Sequence, residues 1–158
     1  MNGEDIRAAY DTVRDEVDAA ARAAGRDPSE VRLLPVSKTV PAERLRLAVE
    51  AGLTELAENK PQEIGRKADE MADLPVRWVA IGHLQTNKAK IIAEHAAEFQ
   101  ALDSVRLAEA LQRRLETADR QLDVLIQVNT SGEEAKTGAA PEEVGEILAA
   151  AASCDRLR

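Results

Sequence analysis

Aromatic side chains are nearly absent: Tyr10, Trp78 and Phe99 are the three present in 158 residues. The core must therefore be assembled from Leu, Val, Ile and Ala. Cysteine is reduced to Cys154, which excludes an internal disulfide. A single thiol without a clear base partner reads as structural or incidental rather than catalytic. No apolar run approaches the roughly 18 residues that a membrane span needs. The opening "MNGEDIRAAYD" carries acids where a secretory signal wants a basic start and an apolar stretch, so the protein is expected to stay in the cytoplasm. Neither GxGxxG nor GxxxxGK[ST] occurs, there is no Gly/Ser linker or low-complexity segment, and the acidic clusters lack metal-ligand spacing. Positive charge is in deficit: the formal net charge is −8 with acids spread along the chain, which argues against a DNA or RNA partner.

What is present is a chain with 44% hydrophobic residues, long enough for one domain, so residues 1–158 are expected to form a single unit. Within residues 1–25, Ile6, Tyr10, Val13, Val17, Ala20 and Ala24 alternate spacings of four and three. That is one face of a leading amphipathic helix, with Gly25 as its C-terminal cap. Short apolar runs follow at "LLPVSK", "LTELAEN", "VRWVAIG", "EFQALD" and "DVLIQVN". Helix starts fall between and after them near Pro41, Pro61, Thr86, Ser104 and Pro141. Leu107, Leu111 and Leu115 form one apolar stripe, and Val144, Ile147, Leu148 and Ala151 form another.

Strand alternating with helix means a parallel sheet in an α/β fold. About five such units fit either an open doubly wound sheet or part of a (β/α)8 TIM-type barrel, which typically needs about 250 residues when complete. Both place chemistry at the carboxyl ends of strands. A doubly wound nucleotide site wants a Gly-rich turn after the first strand, and "SKTVPAE" has no glycine, so the barrel is favoured.

The strand ends carry Ser37 and Lys38, Glu58 and Asn59, Gly82 and His83, then Gln127 and Asn129. "LLPVSK" is expected to be buried on both sides, and Leu34, Val36 and Lys38 share a face that points the amine into the barrel mouth. A partly desolvated amine is more easily kept in the neutral form that condenses with an aldehyde to a Schiff base. Pyridoxal 5′-phosphate is the biological aldehyde most commonly held this way. The plainer alternative is a lysine that snorkels to solvent. Asn59 follows the second strand, where its amide could bond a ring hydroxyl or simply open the turn before Pro61. His83 stands at the third-strand rim, with Gln85, Thr86, Asn87 and Lys88 leading into a helix that holds an anion or is merely capped by Thr86. "QVNTSGEEAKTG" forms a long loop carrying Lys136 and Thr137, functional or only solvated.

Taken in order, "LLPVSKTVPAERL", "AENKPQEIGRKADEM", "RWVAIGHLQTNKAKI" and "VLIQVNTSGEEAKTG" resemble the pyridoxal 5′-phosphate homeostasis protein family, relatives of the alanine racemase N-terminal barrel. The resemblance implies a barrel whose first-strand lysine, Lys38, carries the cofactor as a Schiff base, with Asn59 and His83 near it. It implies a non-catalytic carrier in vitamin B6 homeostasis that delivers pyridoxal 5′-phosphate to dependent apo-enzymes. The alternative is a racemase- or decarboxylase-like enzyme of the same fold, and a third reading is a receiver-like interaction module. The second-strand motif departs from the family at Leu56, Ala57 and Lys60, where an aromatic is lost. Ending at "CDRLR", the chain stops where the family enters a sixth strand and then its phosphate-gripping part. A truncated barrel would leave its first and fifth strands as open edges, so self-association is expected.

Overall fold

A computed structural model describes residues 2–158. A leading helix, α1 (Gly3–Ala23), precedes α2 (Ala42–Glu50), β1 (Glu55–Glu58), α3 (Pro61–Glu70), β2 (Arg77–Ala80) and α4 (Ala89–His95). Next come β3 (Ala96–Leu102), α5 (Val105–Ala118), β4 (Asp123–Ile126) and α6 (Val144–Ser153). The four strands pair in parallel and in chain order. A doubly wound sheet reverses its strand order at a switch point, whereas a barrel adds each strand beside the last in one direction. The observed order is that of the barrel.

The sheet extends past both ends of the four strands. Val36 bridges Ala57, with Ser37 N donating to Ala57 O and Ala57 N to Pro35 O, each at 2.8 Å. The expected first strand is therefore one bridge rather than a strand, because Pro35 has no N–H to give a ladder. Nor is "LLPVSK" buried on both sides: Leu33, Leu34 and Pro35 are half-buried, Val36 is 48% exposed and Lys38 is exposed. The fifth-strand edge, expected open, is covered. Leu122 N donates to Arg156 O at 3.0 Å, Val124 N to Arg158 O at 2.9 Å and Arg158 N to Leu122 O at 3.0 Å, so residues 156–158 lie along β4.

Leu56, Trp78, Ala80, Phe99 and Ala101 project from the sheet into one core with Ile64, Ile92 and the α5 stripe Leu107, Leu111 and Leu115. The α5 stripe forms as its four-residue spacing requires, and Ser104 Oγ caps the helix by accepting from Leu107 N at 3.2 Å. Two apolar stripes differ from expectation. Leu148 of α6 is 59% exposed although Ile147 and Ala151 are buried. On α1, Val13 is 46% exposed, Ala20 and Ala24 are exposed, and Ala21 is the buried residue. The α1 helix lies mainly against α2 and residues 28–30, so a narrower stripe is covered. Its Arg14 reaches past that stripe to donate to Val31 O at 2.6 Å.

Residues alternating with the core set occupy the opposite, concave face of the sheet. At its amino end an ion network joins residues from consecutive strand positions. Arg32 forks onto Glu98 through two bonds of 2.9 Å and contacts Glu55 at 3.3 Å. Arg77 joins Glu55 at 2.6 Å, Glu98 at 3.1 Å and Asp123 at 3.0 Å, and Arg158 closes on Asp123 at 3.1 Å. In barrels this end serves stability and the other end serves chemistry. Toward that other end the concave face is mixed: Val36 (48%) and Leu125 (55%) are exposed, whereas Ala57 and Val79 between them are buried.

Cys154 is 8% exposed within the core, and burial, reinforced by nearby Glu109, pushes its thiol above the ordinary range. Iodoacetamide should therefore label the folded chain at least about tenfold more slowly than the urea-unfolded chain, read by intact mass at neutral pH. Equal rates would mean that the thiol is not enclosed.

Candidate functional site

Lys38, Asn59 and His83 stand one to three residues beyond the last paired positions of neighbouring strand segments, Val36–Ala57, Glu58–Ala80 and Ala80–Phe99. Adjacent strands run about 4.8 Å apart, so the three side chains occupy one short arc of the carboxyl rim. All three are exposed. Lys38 is thus exposed where a partly buried amine was expected, because its segment beyond the Val36–Ala57 bridge leaves the sheet as a turn.

Local geometry explains why a lysine closes this segment. Val40 N donates to Ser37 O at 3.1 Å, closing a four-residue turn in which Lys38 is the second residue and Thr39, at φ 67°, the third. A positive φ at the third position belongs to a type II turn, which presents its second residue at the corner. Lys38 is thus a projecting side chain, and its ammonium has no partner among the described residues. Thr39 is β-branched, and holding it in the left-handed region costs about 1–3 kcal/mol, so the surroundings must enforce the turn.

Beneath the turn lies a buried ionic cluster. Lys67 of α3 is 0% exposed, Glu58 at the end of β1 is 1% exposed and Ser37 is 2% exposed. Lys67 Nζ donates to Ser37 O at 2.9 Å and forms a short contact with Glu58 Oε2. Glu58 Oε1 accepts from Asn59 N at 3.2 Å, and Ser37 Oγ donates to Ala57 O at 3.0 Å. One sequence signal marks it: Ile64, Lys67, Ala68 and Met71 fall on one helical face, which places a lysine inside an apolar stripe.

At the next strand end, His83 Nδ1 lies 3.3 Å from Asp103 Oδ2, linking the rims of β2 and β3. Asp103 was legible as a strand end but not as the histidine's partner. Gly82 makes the junction with Asn59 possible. A Cβ at Gly82 would stand 2.1 Å from Asn59 O, 2.9 Å from its carbonyl carbon and 3.0 Å from its Cα. Beyond β4, the long loop is folded around Asn129. Its Nδ2 donates to Glu133 O at 3.0 Å, and its Oδ1 accepts from Ser131 Oγ and Gly132 N, both at 3.1 Å. Lys136 pairs with Glu133 at 2.9 Å, and Thr137 Oγ1 accepts from Gln127 Nε2 at 3.4 Å.

Among the described residues no group of three or more His, Cys, Asp or Glu could hold a metal ion, and no helix is long and apolar enough to cross a membrane. The rim thus offers an unpaired primary amine, the Asn59 amide, which also has no partner among the described residues, and an imidazole oriented by a carboxylate. That set can hold and orient a small carbonyl compound.

Comparison with known proteins agrees with this architecture. Residues 9–158 match the model for the alanine racemase N-terminal domain. The chain is 44% identical over 139 residues to the pyridoxal phosphate homeostasis protein of Pseudomonas aeruginosa, covering 88% of this chain and 60% of that one. It is 40% identical over 149 residues to the protein of the same name from Escherichia coli K12, covering 92% and 64%. The solved structure of PipY from Synechococcus elongatus with pyridoxal phosphate bound is 31% identical and superposes with a TM-score of 0.75, covering 90% of this chain and 66% of that one. The chain spans about three fifths of the length of these two curated relatives. With a parallel barrel-type sheet in chain order and a family match over nearly all its residues, the chain belongs to the alanine racemase N-terminal domain family.

Proposed function

We propose that this chain binds pyridoxal 5′-phosphate through Lys38 and serves vitamin B6 homeostasis as a carrier rather than a catalyst. The observation that carries the proposal is the Lys38 turn, which projects an unpaired amine from the carboxyl rim of a barrel-type sheet, next to Asn59 and His83. The name of the curated relatives and the pyridoxal phosphate bound by PipY support it.

The residues present fit the aldehyde end of the cofactor. Lys38 would hold it there: after its ammonium releases a proton to solvent, the Nζ lone pair would bond the aldehyde carbon, and the carbonyl oxygen would leave as water with the two remaining amine hydrogens, giving a C=N bond. Asn59 would bond the ring substituents, and His83, braced by Asp103, would help to hold the ring. The bound group would supply a transferable aldehyde and a visible chromophore. Recipient apo-enzymes in the cytoplasm belong to the same proposal.

Titration with pyridoxal 5′-phosphate should give a saturable visible band. Lys38→Ala should abolish the band and weaken apparent binding at least about tenfold, or about 1.4 kcal/mol. A wild-type chain without a saturable band, or a Lys38→Ala chain that keeps it, would refute the proposal.

A further inference from the structure

A lysine with no exposed surface, paired with a carboxylate equally hidden, is an expensive way to fill a core, because an apolar pair of similar volume is often at least as stable. The contacts of this pair show what an apolar pair could not do. Ser37 O, one residue before Lys38, accepts both the turn-closing Val40 N at 3.1 Å and the Lys67 ammonium at 2.9 Å. Glu58, which neutralises Lys67, accepts from the backbone N–H of Asn59 at 3.2 Å. One buried ion pair therefore grips the backbone beside Lys38 and beside Asn59, two rim positions contributed by different strand segments.

We infer that Lys67 and Glu58 are positioning residues, which lock the Lys38 turn and the Asn59 backbone in fixed relation so that amine and amide meet one ligand. The inference rests on the proposed role of Lys38. Lys67 also offsets the conformational cost at Thr39, whose positive φ the turn requires, by adding a charged donor to the carbonyl on which the turn closes. Neither residue touches the ligand.

The test separates positioning from stability. Lys67→Met alone leaves the Glu58 carboxylate buried without a counter-charge and can unfold the chain. The double variant Glu58→Met/Lys67→Met removes both charges and is expected to retain the fold, monitored by its thermal midpoint. In that variant, amide hydrogen exchange at Val40 should be at least about tenfold faster than in the wild type. Appearance of the visible band on mixing with pyridoxal 5′-phosphate should be at least about tenfold slower.

A folded double variant with wild-type Val40 exchange and wild-type capture would overturn the inference and leave the pair as a packing element. If the wild-type chain captures no pyridoxal 5′-phosphate, the functional proposal fails by itself. Exchange at Val40 then decides alone whether the ion pair holds the turn.

Discussion

Gly82→Ala is expected to destabilise the chain by about 3 kcal/mol, at the upper end of the range for overpacking a tight site. The obstacle is space, not backbone conformation. The added methyl would sit 2.1 Å from Asn59 O and 2.9 Å from the adjacent carbonyl carbon, both main-chain atoms that no rotamer change can remove. Relief requires the exits of β1 and β2 to part, while Ile81 N donates to Glu58 O at 3.0 Å and ties those exits together. The same movement would separate Asn59 from His83, so capture of pyridoxal 5′-phosphate should fall with stability. A urea midpoint within experimental error of the wild type would show that the two strand ends do not approach this closely.

Acid should weaken the fold through Glu98. The forked bonds from Arg32, with further bonds from Gln100 and Arg77, hold this carboxyl down at about 2 against the opposing effect of burial. The ordinary value is 4.5, so the unfolded chain takes up the proton first as pH falls. Stability from this group is complete above about pH 4.5 and is lost as pH descends toward about 2. At 1.36 kcal/mol per unit the shift corresponds to roughly 3.4 kcal/mol, and on the order of 2 kcal/mol once the partly exposed guanidinium partners are allowed for. Glu98→Gln should therefore lower the urea midpoint at pH 7 and flatten its decline between pH 5 and pH 2.5, the difference from wild type isolating Glu98 from other carboxylates. Parallel acid profiles for the two proteins would contradict this assignment.

Features written in neighbouring residues were legible in the sequence. Ser104 caps α5, Pro61 opens α3, and Leu107, Leu111 and Leu115 are all buried, because caps and helical stripes are short-range chemistry. The rim position of Lys38, Asn59 and His83 was also legible, since each follows an apolar run that ends in a turn. What escaped depends on distant partners. Arg32 meets Glu98 across 66 residues, His83 meets Asp103 from the next strand, and Lys67 crosses from helix to sheet to reach Ser37 and Glu58. The polar "CDRLR" gave no strand signal, yet residues 156–158 bond along β4 through backbone groups that any side chain permits. The exposure of Val36 and Lys38 likewise depends on what packs against them from a distance, which no local pattern records.

Covalent mapping decides whether Lys38 is the amine that holds the cofactor. The chain is mixed with pyridoxal 5′-phosphate, reduced with borohydride, digested, and its peptides are weighed. The expected result is one stoichiometric pyridoxyl label on the peptide containing Lys38. Label concentrated on Lys60, Lys88 or Lys136, or spread over surface amines, would contradict it.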